Sequence, residues 1–303
     1  MNVKTRRILS IIYFSIPLKR QFFITLRRYF KIPISLTRYL RFKGIIEVQL
    51  DMDHSFKMYH YGFEIENSLF WHGINGWEKT SLNIWLALSK HSNTILDIGS
   101  NTGVYALIAK AVNPKSNIYA FEPVKRVFNR LVENIKLNSF DIKPVEKAVS
   151  NFDGKASIYD PGTDHLYSVT VNKNLNSSNQ SCEIVEIQTV TLATFIGENN
   201  LKSIDLIKID VETHEPEVFE GLKEFLEIFL PIILIEILND EVGNRINDFI
   251  IDLEYLCYSI DEKSGCKEEN KIETRKKGRN YLLIPKKKSE ILDKIFISNY
   301  LMK

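Results

Sequence analysis

The stretch Thr94-Ile-Leu-Asp-Ile-Gly-Ser-Asn-Thr-Gly103 runs from a short apolar segment into a glycine-bearing turn. Thr94 to Ile98 suits a buried parallel strand, and Val104 to Ala111 has the pattern of a helix. Gly99 and Gly103 permit positive φ and let the backbone approach a ligand closely, while the first turn of the helix offers unpaired N–H groups. The next apolar run, Ile118-Tyr-Ala-Phe-Glu-Pro123, ends in a carboxylate about 20 residues beyond Gly103. At that distance a strand-end acid can accept hydrogen bonds from both hydroxyls of a ribose. The layout is that of a nucleoside-binding turn.

Dinucleotides and S-adenosylmethionine (SAM) both use this layout, and the glycine pattern separates them. A dinucleotide fingerprint, G-x-G-x-x-G, needs its middle glycine so that a pyrophosphate can touch the backbone. Here Asn101 holds that place, in the pattern Asp97-x-Gly99-x-Asn101-x-Gly103. With a carboxylate at Asp97 and no third glycine, the turn suits a ligand carrying a cationic amino or sulfonium group better than a diphosphate. SAM is therefore favoured over NAD. The bland alternative, an α/β turn with no ligand, is weakened by the spacing to Glu122.

Outward from the turn, strands and helices alternate. Helices are expected over Glu78 to Ser89, Lys125 to Leu137, Glu215 to Phe229 and Glu241 to Leu253. Between them, strands are expected over about Lys143 to Val149, Ile204 to Ile209 and Ile232 to Ile237. Such alternation means a parallel sheet. An insertion over about 151–190, with a polar Asn/Ser-rich tip at Asn172 to Ser181, interrupts the alternation and reads as antiparallel. Tyr255 to Ile260 and Arg279 to Ile284 read as two strands joined by a charged loop, an antiparallel pair at the sheet edge. Upstream, Glu47 to Tyr61 reads as a hairpin, and Phe70 to Trp77 as a loop rich in aromatics and glycine, whose Trp71 and Trp77 could stack on sugar faces or belong to the core.

The net charge of +2 hides an uneven distribution. Residues 1–43 hold eleven Lys or Arg and no Asp or Glu, which leaves 29 basic against 38 acidic side chains in residues 44–303. Wound as a helix, Leu18, Phe22, Leu26, Tyr29 and Phe30 share one face, with Arg20, Arg27, Arg28 and Lys31 largely opposite. Such a helix can lie on anionic lipid, or pack its apolar side on the protein. The uncharged run Ile8 to Leu18 lacks a small-x-small cleavage site after it and is far shorter than the roughly 20 residues that cross a bilayer. Cys182, Cys257 and Cys266 are scattered, with no metal-binding spacing and no disulfide framework, which fits a reducing compartment. The expected organisation is a basic amphipathic arm over 1–45, a hairpin and helix over 46–90, and one catalytic domain over 91–303.

In an open α/β sheet, ligands bind at the carboxyl ends of the strands. The densest cluster follows the fourth parallel strand: Asp210-Val-Glu-Thr-His-Glu-Pro-Glu217. Methyl transfer from a sulfonium needs positioning more than covalent chemistry, so the difficulty lies in the acceptor, since an alcohol is a poor nucleophile until a base takes its proton. His214 is the base best matched by its ordinary pKa, and Asp210 could orient donor or acceptor. Glu215 and Glu217 are also what a helix's first turn collects for its dipole alone.

At this point the chain resembles the FkbM-type methyltransferases, SAM-dependent enzymes of the class I fold that methylate hydroxyl groups on sugars, polyketides and other secondary metabolites. The resemblance covers roughly Gly76 to Asn239. It rests on Trp77-Glu78, Asp97 to Gly103, Phe121-Glu-Pro123, Ala148, Asp153-Gly154, Val190-Thr-Leu192, Ile204 to Glu212, Glu215-Pro-Glu217 with Gly221, and Pro231 before Glu236. It implies a Rossmann-like, mostly parallel seven-stranded sheet with an antiparallel edge hairpin, joined here to the basic N-terminal arm. It also implies a SAM site lined by Glu78, Asp97, Gly99, Asn101, Gly103, Glu122 and Ala148, with Asp210, Glu212, His214 and Glu215 facing the acceptor. The family usually has Gly-Ala where this chain has Thr213 and His214, so its acceptor side departs from the pattern. Catechol-type O-methyltransferases hold a divalent cation with carboxylates at similar places; Asp210 and Glu236 are the weak candidates here, with Asn239 or Asp240 as a third ligand, and a metal is not expected.

The function expected is SAM-dependent O-methylation of a hydroxyl on a glycan, glycolipid or related metabolite, in the cytoplasm and peripherally at the inner face of the membrane through residues 1–43. A polyketide, peptide or other small-molecule acceptor is the alternative, as is a non-catalytic SAM-fold module held at the membrane. No nucleic-acid partner is expected.

Overall fold

A computed structural model describes residues 13, 17–160, 183–274 and 278–296. The Asn/Ser-rich tip and Cys182 fall outside them. The chain divides into two compact units, Met1–Glu78 and Lys79–Lys303, so the helix expected from Glu78 groups with the second unit, ahead of the boundary expected near residue 90.

In the first unit, helices α1 (Lys19–Tyr29) and α2 (Ile34–Thr37) precede the hairpin β1 (Gly44–Gln49) and β2 (Ser55–His60), and helix α3 (Glu64–His72) follows. The hairpin forms as expected because alternate residues turn inward: Ile46 and Val48 from β1 and Phe56 and Met58 from β2 are buried. Phe70 and Trp71, expected in a loop, complete α3 instead, which ends at Gly73 with φ of 61°. Trp71 is core: its indole N–H donates to the Leu40 carbonyl at 3.1 Å, and its ring meets Phe70 and Phe23. Helix α1 is seated through Phe23, which packs on Phe42 and Trp71. Arg27, expected opposite the apolar face, turns in over the Phe70 ring at 5.1 Å, where the aromatic face attracts its charge.

The second unit opens with α4 (Lys79–Ser89) and continues as β3 (Thr94–Ile98), α5 (Val104–Val112), β4 (Asn117–Phe121), α6 (Lys125–Asn138) and β5 (Ile142–Val145). The stretch read as one strand to Val149 splits after β5: β6 (Ala148–Val149) leaves the main sheet to pair with β8 (Glu183–Val190), which also pairs with β7 (Gly154–Asp160). This small sheet is the insertion, and its β7–β8 ladder is antiparallel. Then come α7 (Leu192–Glu198), β9 (Leu206–Ile209), α8 (Glu215–Phe229), β10 (Ile232–Glu236), α9 (Asp240–Ile250), β11 (Tyr255–Asp261), β12 (Gly265–Glu269), β13 (Asn280–Pro285) and α10 (Ile291–Phe296).

The main sheet runs β12-β11-β13-β10-β9-β3-β4-β5. From β5 to β10 the pairs are parallel, and β13 is antiparallel to both β10 and β11. The stretch read as a charged loop contains β12, which adds an eighth strand at the edge. Helices on both faces of the sheet explain why β3 and β9 are buried along their whole length. One face carries Leu96, Ile98, Ile207, Ile209, Ile233 and Ile235 against Phe195, Phe219 and Ile246 of α7, α8 and α9. Helix α8 starts where the sequence says it should: Pro216 fixes φ in its first turn, and Glu215 and Glu217 meet the positive end of its dipole. Among the described residues no helix is long and apolar enough to cross a membrane.

Candidate active site

The chemistry gathers at the carboxyl ends of β3, β4, β9 and β10. After β3 the chain turns through Gly99 and Asn101, with φ of 79° and 51°, and enters α5 at Gly103, with φ of 93°. The turn is pinned to neighbouring strands, since the amides of Gly99 and Ser100 both donate to the Phe121 carbonyl and the Asp210 amide donates to the Ile98 carbonyl. Gly99 is required for a second reason. A Cβ there would stand 1.9 Å from the carbonyl oxygen of Asp210. Positive φ and this contact together leave glycine the only residue that fits without displacing the loop after β9.

Asp97 is buried, and its Oδ2 accepts the amide of Ala106 in the first turn of α5 at 3.0 Å. Burial pushes its carboxyl up to about 7, against the pull of Lys208, its direct partner in the β3–β9 register. Glu122 lies at the end of β4. Its Oε2 accepts the Asn101 amide at 3.1 Å and its Oε1 the Val124 amide at 2.9 Å, which fixes the carboxyl plane beside the turn. Burial pushes it up to about 8. Thus Asp97, Gly99, Asn101, Gly103 and Glu122 lie together around the turn after β3. Ala148 begins β6 and packs against the small cluster of Val124, Val127, Ile158 and Ile187. Glu78 is the last residue of the first unit and takes a positive φ of 37°.

This cradle fits an adenosine-bearing cation. Two side-chain oxygens in it, Oδ1 of Asn101 and Oγ1 of Thr102, are buried without a hydrogen-bond partner. Buried polar atoms are normally paired, so their state points to a ligand that supplies the partner. Each Glu122 oxygen accepts one backbone amide and keeps a lone pair for a ribose hydroxyl.

The residues expected to face the acceptor lie on the loop Asp210–Glu215, which follows β9. Asp210 leaves β9 with its side chain about one-third exposed, 3.4 Å from Nζ of the buried Lys208. The Lys208 ammonium also lies 5.1 Å from the Tyr105 ring centre. Glu236 lies at the end of β10, where burial and the nearby Asp210 hold its carboxyl well above the usual range. Glu212 and Thr213 have φ of 54° and 80°. A β-branched residue with positive φ is strained, and Thr213 stands where the resembled family usually has glycine. Glu215 holds this shape: its Oε1 accepts the amides of Val211 and Thr213 at 3.2 and 3.3 Å. It is fully buried, and burial raises it to about 7, so it supports the loop from beneath. Burial raises Glu212 as well.

His214 has both ring nitrogens engaged. Nε2 lies 3.0 Å from Oγ of Ser150, and Nδ1 lies 3.4 Å from Oε2 of Glu217. Glu217 is paired in turn with Arg245, which also holds Glu220. Burial lowers the imidazole pKa, so it is neutral at pH 7. Ser150, Lys208 and Arg245 were not singled out in the sequence. Lys208 did carry a signal, being a lysine inside the apolar run Ile204 to Ile209.

Among the described residues no group of three or more His, Cys, Asp or Glu side chains is placed to hold a metal ion. The two suggested third ligands are committed elsewhere: Oδ1 of Asn239 caps α9 through the Val242 amide, and Oδ1 of Asp240 accepts the Thr274 amide.

A family model described as the methyltransferase FkbM domain matches residues 97–258, more than half of the 303-residue chain. Among curated proteins, the 2-O-methyltransferase NoeI of Sinorhizobium fredii is 32% identical over 152 residues, covering 46% of this chain and 61% of that protein. The hexuronic acid methyltransferase AglP of Haloferax volcanii is 26% identical over 150 residues, covering 50% of this chain and 58% of that protein. The chain thus spans about three fifths of the length of these curated relatives. Among solved structures, methyltransferase FkbM from Methylobacillus flagellatus aligns with a TM-score of 0.40 at 11% identity, over 63% of this chain and 43% of that one.

Proposed function

The chain belongs to the methyltransferase FkbM domain family, and from that premise we propose that it is a SAM-dependent O-methyltransferase acting on a hydroxyl of a glycan or glycolipid. The observation that carries the cofactor reading is Glu122, a buried strand-end carboxylate fixed by two backbone amides beside a turn whose Asn101 and Thr102 oxygens are unpartnered. When bound, SAM would supply a methyl group whose bond to the sulfonium sulfur breaks in the transfer, the sulfur leaving as the thioether of S-adenosylhomocysteine. The rest falls to this chain. Glu122 receives the ribose hydroxyls, and Asn101 and Thr102 present acceptor oxygens. Asp97 ties the start of α5 to β3, so that the turn keeps its shape as the ligand enters.

Asp210 is the base in this reading. It stands at the strand end, next to the turn through Gly99, and takes the acceptor hydroxyl's proton as the oxygen bonds to the methyl carbon. Lys208 steadies its carboxylate from below. Glu212 lines the same loop, while His214 and Glu215 act on it as positioning residues, the first through Ser150 and the second through the backbone. A sugar hydroxyl is favoured as acceptor by a relative whose name speaks of hexuronic acid, and transfer to oxygen by one whose name speaks of a 2-O position.

The test is incubation with SAM and a panel of hydroxylated saccharides, lipid-linked saccharides and non-sugar alcohols, with S-adenosylhomocysteine and the methylated oxygen as readouts. Saccharide-dependent product carrying a new methyl ether is expected. SAM binding with no product from any acceptor would reduce the protein to a binding module.

A further inference from the structure

Helices α1 and α2 of the first unit present an apolar face to solvent. Leu18, Phe22, Tyr29 and Phe30 are 72%, 61%, 70% and 64% exposed, and Ile34 and Tyr39 are 64% exposed each. A cover from the unit's own core is already accounted for, because α1 is seated by a different side chain, the 5%-exposed Phe23 against Phe42 and Trp71. So many large apolar side chains exposed within 22 residues of a folded unit mark a contact.

The charges around it select the occupant. Arg28, Lys31, Arg38 and Lys43 are exposed among these side chains, and residues 1–43 contain no acid. Arg28 and Arg38 lie over the rings of Tyr29 and Tyr39, so in both places a cation stands beside an aromatic ring. A second copy of the chain would bring this cationic face against itself, since a two-fold contact repeats the same patch. A nucleic acid would pair the cations and leave Leu18, Phe22 and Phe30 in water. An anionic bilayer satisfies both sets: the aliphatic and phenyl groups enter the acyl boundary, the tyrosines sit at headgroup level, and the cations meet lipid phosphates.

We propose that the Leu18–Tyr39 face of the first unit docks the protein on an anionic membrane surface, lying on the bilayer without crossing it. This does not rest on the methyl-transfer reading, and each can fail alone.

The full chain should co-sediment with vesicles of phosphatidylcholine and phosphatidylglycerol and should not do so with phosphatidylcholine alone. The pairs Phe22→Glu with Phe30→Glu, and Arg28→Glu with Lys31→Glu, change exposed side chains and should keep the parent melting temperature. Each pair should weaken binding to the anionic vesicles by at least about tenfold, the charge pair more so at low salt. Equal binding to both vesicle types, or undiminished binding by the Phe pair, would overturn the proposal. So would failure to bind vesicles by a chain that dimerises through this face, or salt-sensitive RNA binding indifferent to Phe22 in place of lipid binding.

Discussion

Nε2 of His214 lies 3.0 Å from the hydroxyl oxygen of Ser150, so the histidine that the sequence offers as a base points its imidazole at a buried serine. Its other nitrogen faces Glu217. Asp210, one turn of chain earlier, stands at the strand end with an open side.

The two residues should therefore separate kinetically. Asp210→Asn removes the proton acceptor while keeping the side chain's size, and should lower kcat by about 100-fold or more with SAM affinity nearly kept. His214→Ala should cost less than about tenfold in kcat. The reverse order, measured at saturating acceptor, would return the base to His214.

SAM affinity should depend on pH through Glu122. Burial pushes the carboxyl up to about 8, and a ribose diol donates best to the ionised form, so binding at pH 7 releases a proton. Affinity should rise about tenfold per unit below pH 8 and level off above it. The effect on stability has the opposite sign. A raised carboxyl stabilises the protein below its unfolded pKa, and that contribution is lost as pH rises toward about 8. Calorimetry in buffers of different ionisation heat reads the proton, and pH-independent binding between about pH 6 and pH 9 would contradict the assignment.

Gly99→Ala tests the contact between the two loops. Its Cβ would fall 1.9 Å from the Asp210 carbonyl oxygen on a backbone already at φ of 79°. The loops must part, at a cost of at least about 2 kcal/mol in urea unfolding, with loss of SAM affinity. A variant as stable as the parent would show that the loops do not meet.

Thr213→Gly should act in the other direction. Relieving a β-branched residue held at φ of 80° should raise the unfolding free energy by about 1 kcal/mol. A fall in stability would mean that the threonine side chain makes a contact worth more than the strain.

The parts of the fold set by local pattern were legible before the structure. The run Thr94 to Ile98 became β3, the helix Glu215 to Phe229 matched α8 residue for residue, and Glu122 stands at the end of β4 beside the turn. What escaped depends on pairing between distant segments. Charged Gly265–Glu269 forms β12 because β11 offers an edge, not because its residues favour a strand. Ser150 is an ordinary serine until α8 brings His214 to it across 64 residues. Phe70 and Trp71 read as loop because Gly73 and Gly76 follow closely, yet Gly73 only terminates α3. In the first unit the periodicity grouped Leu18, Phe22, Tyr29 and Phe30, which are exposed, and missed the side chain that seats α1, Phe23.

The most direct measurement is titration calorimetry of SAM into the full chain and into Glu122→Ala. The parent should bind in the micromolar range, and the variant, lacking the carboxylate that receives the ribose, should bind at least about tenfold more weakly while keeping its fold. Equal affinity in the two proteins, or no binding by the parent, would contradict the account.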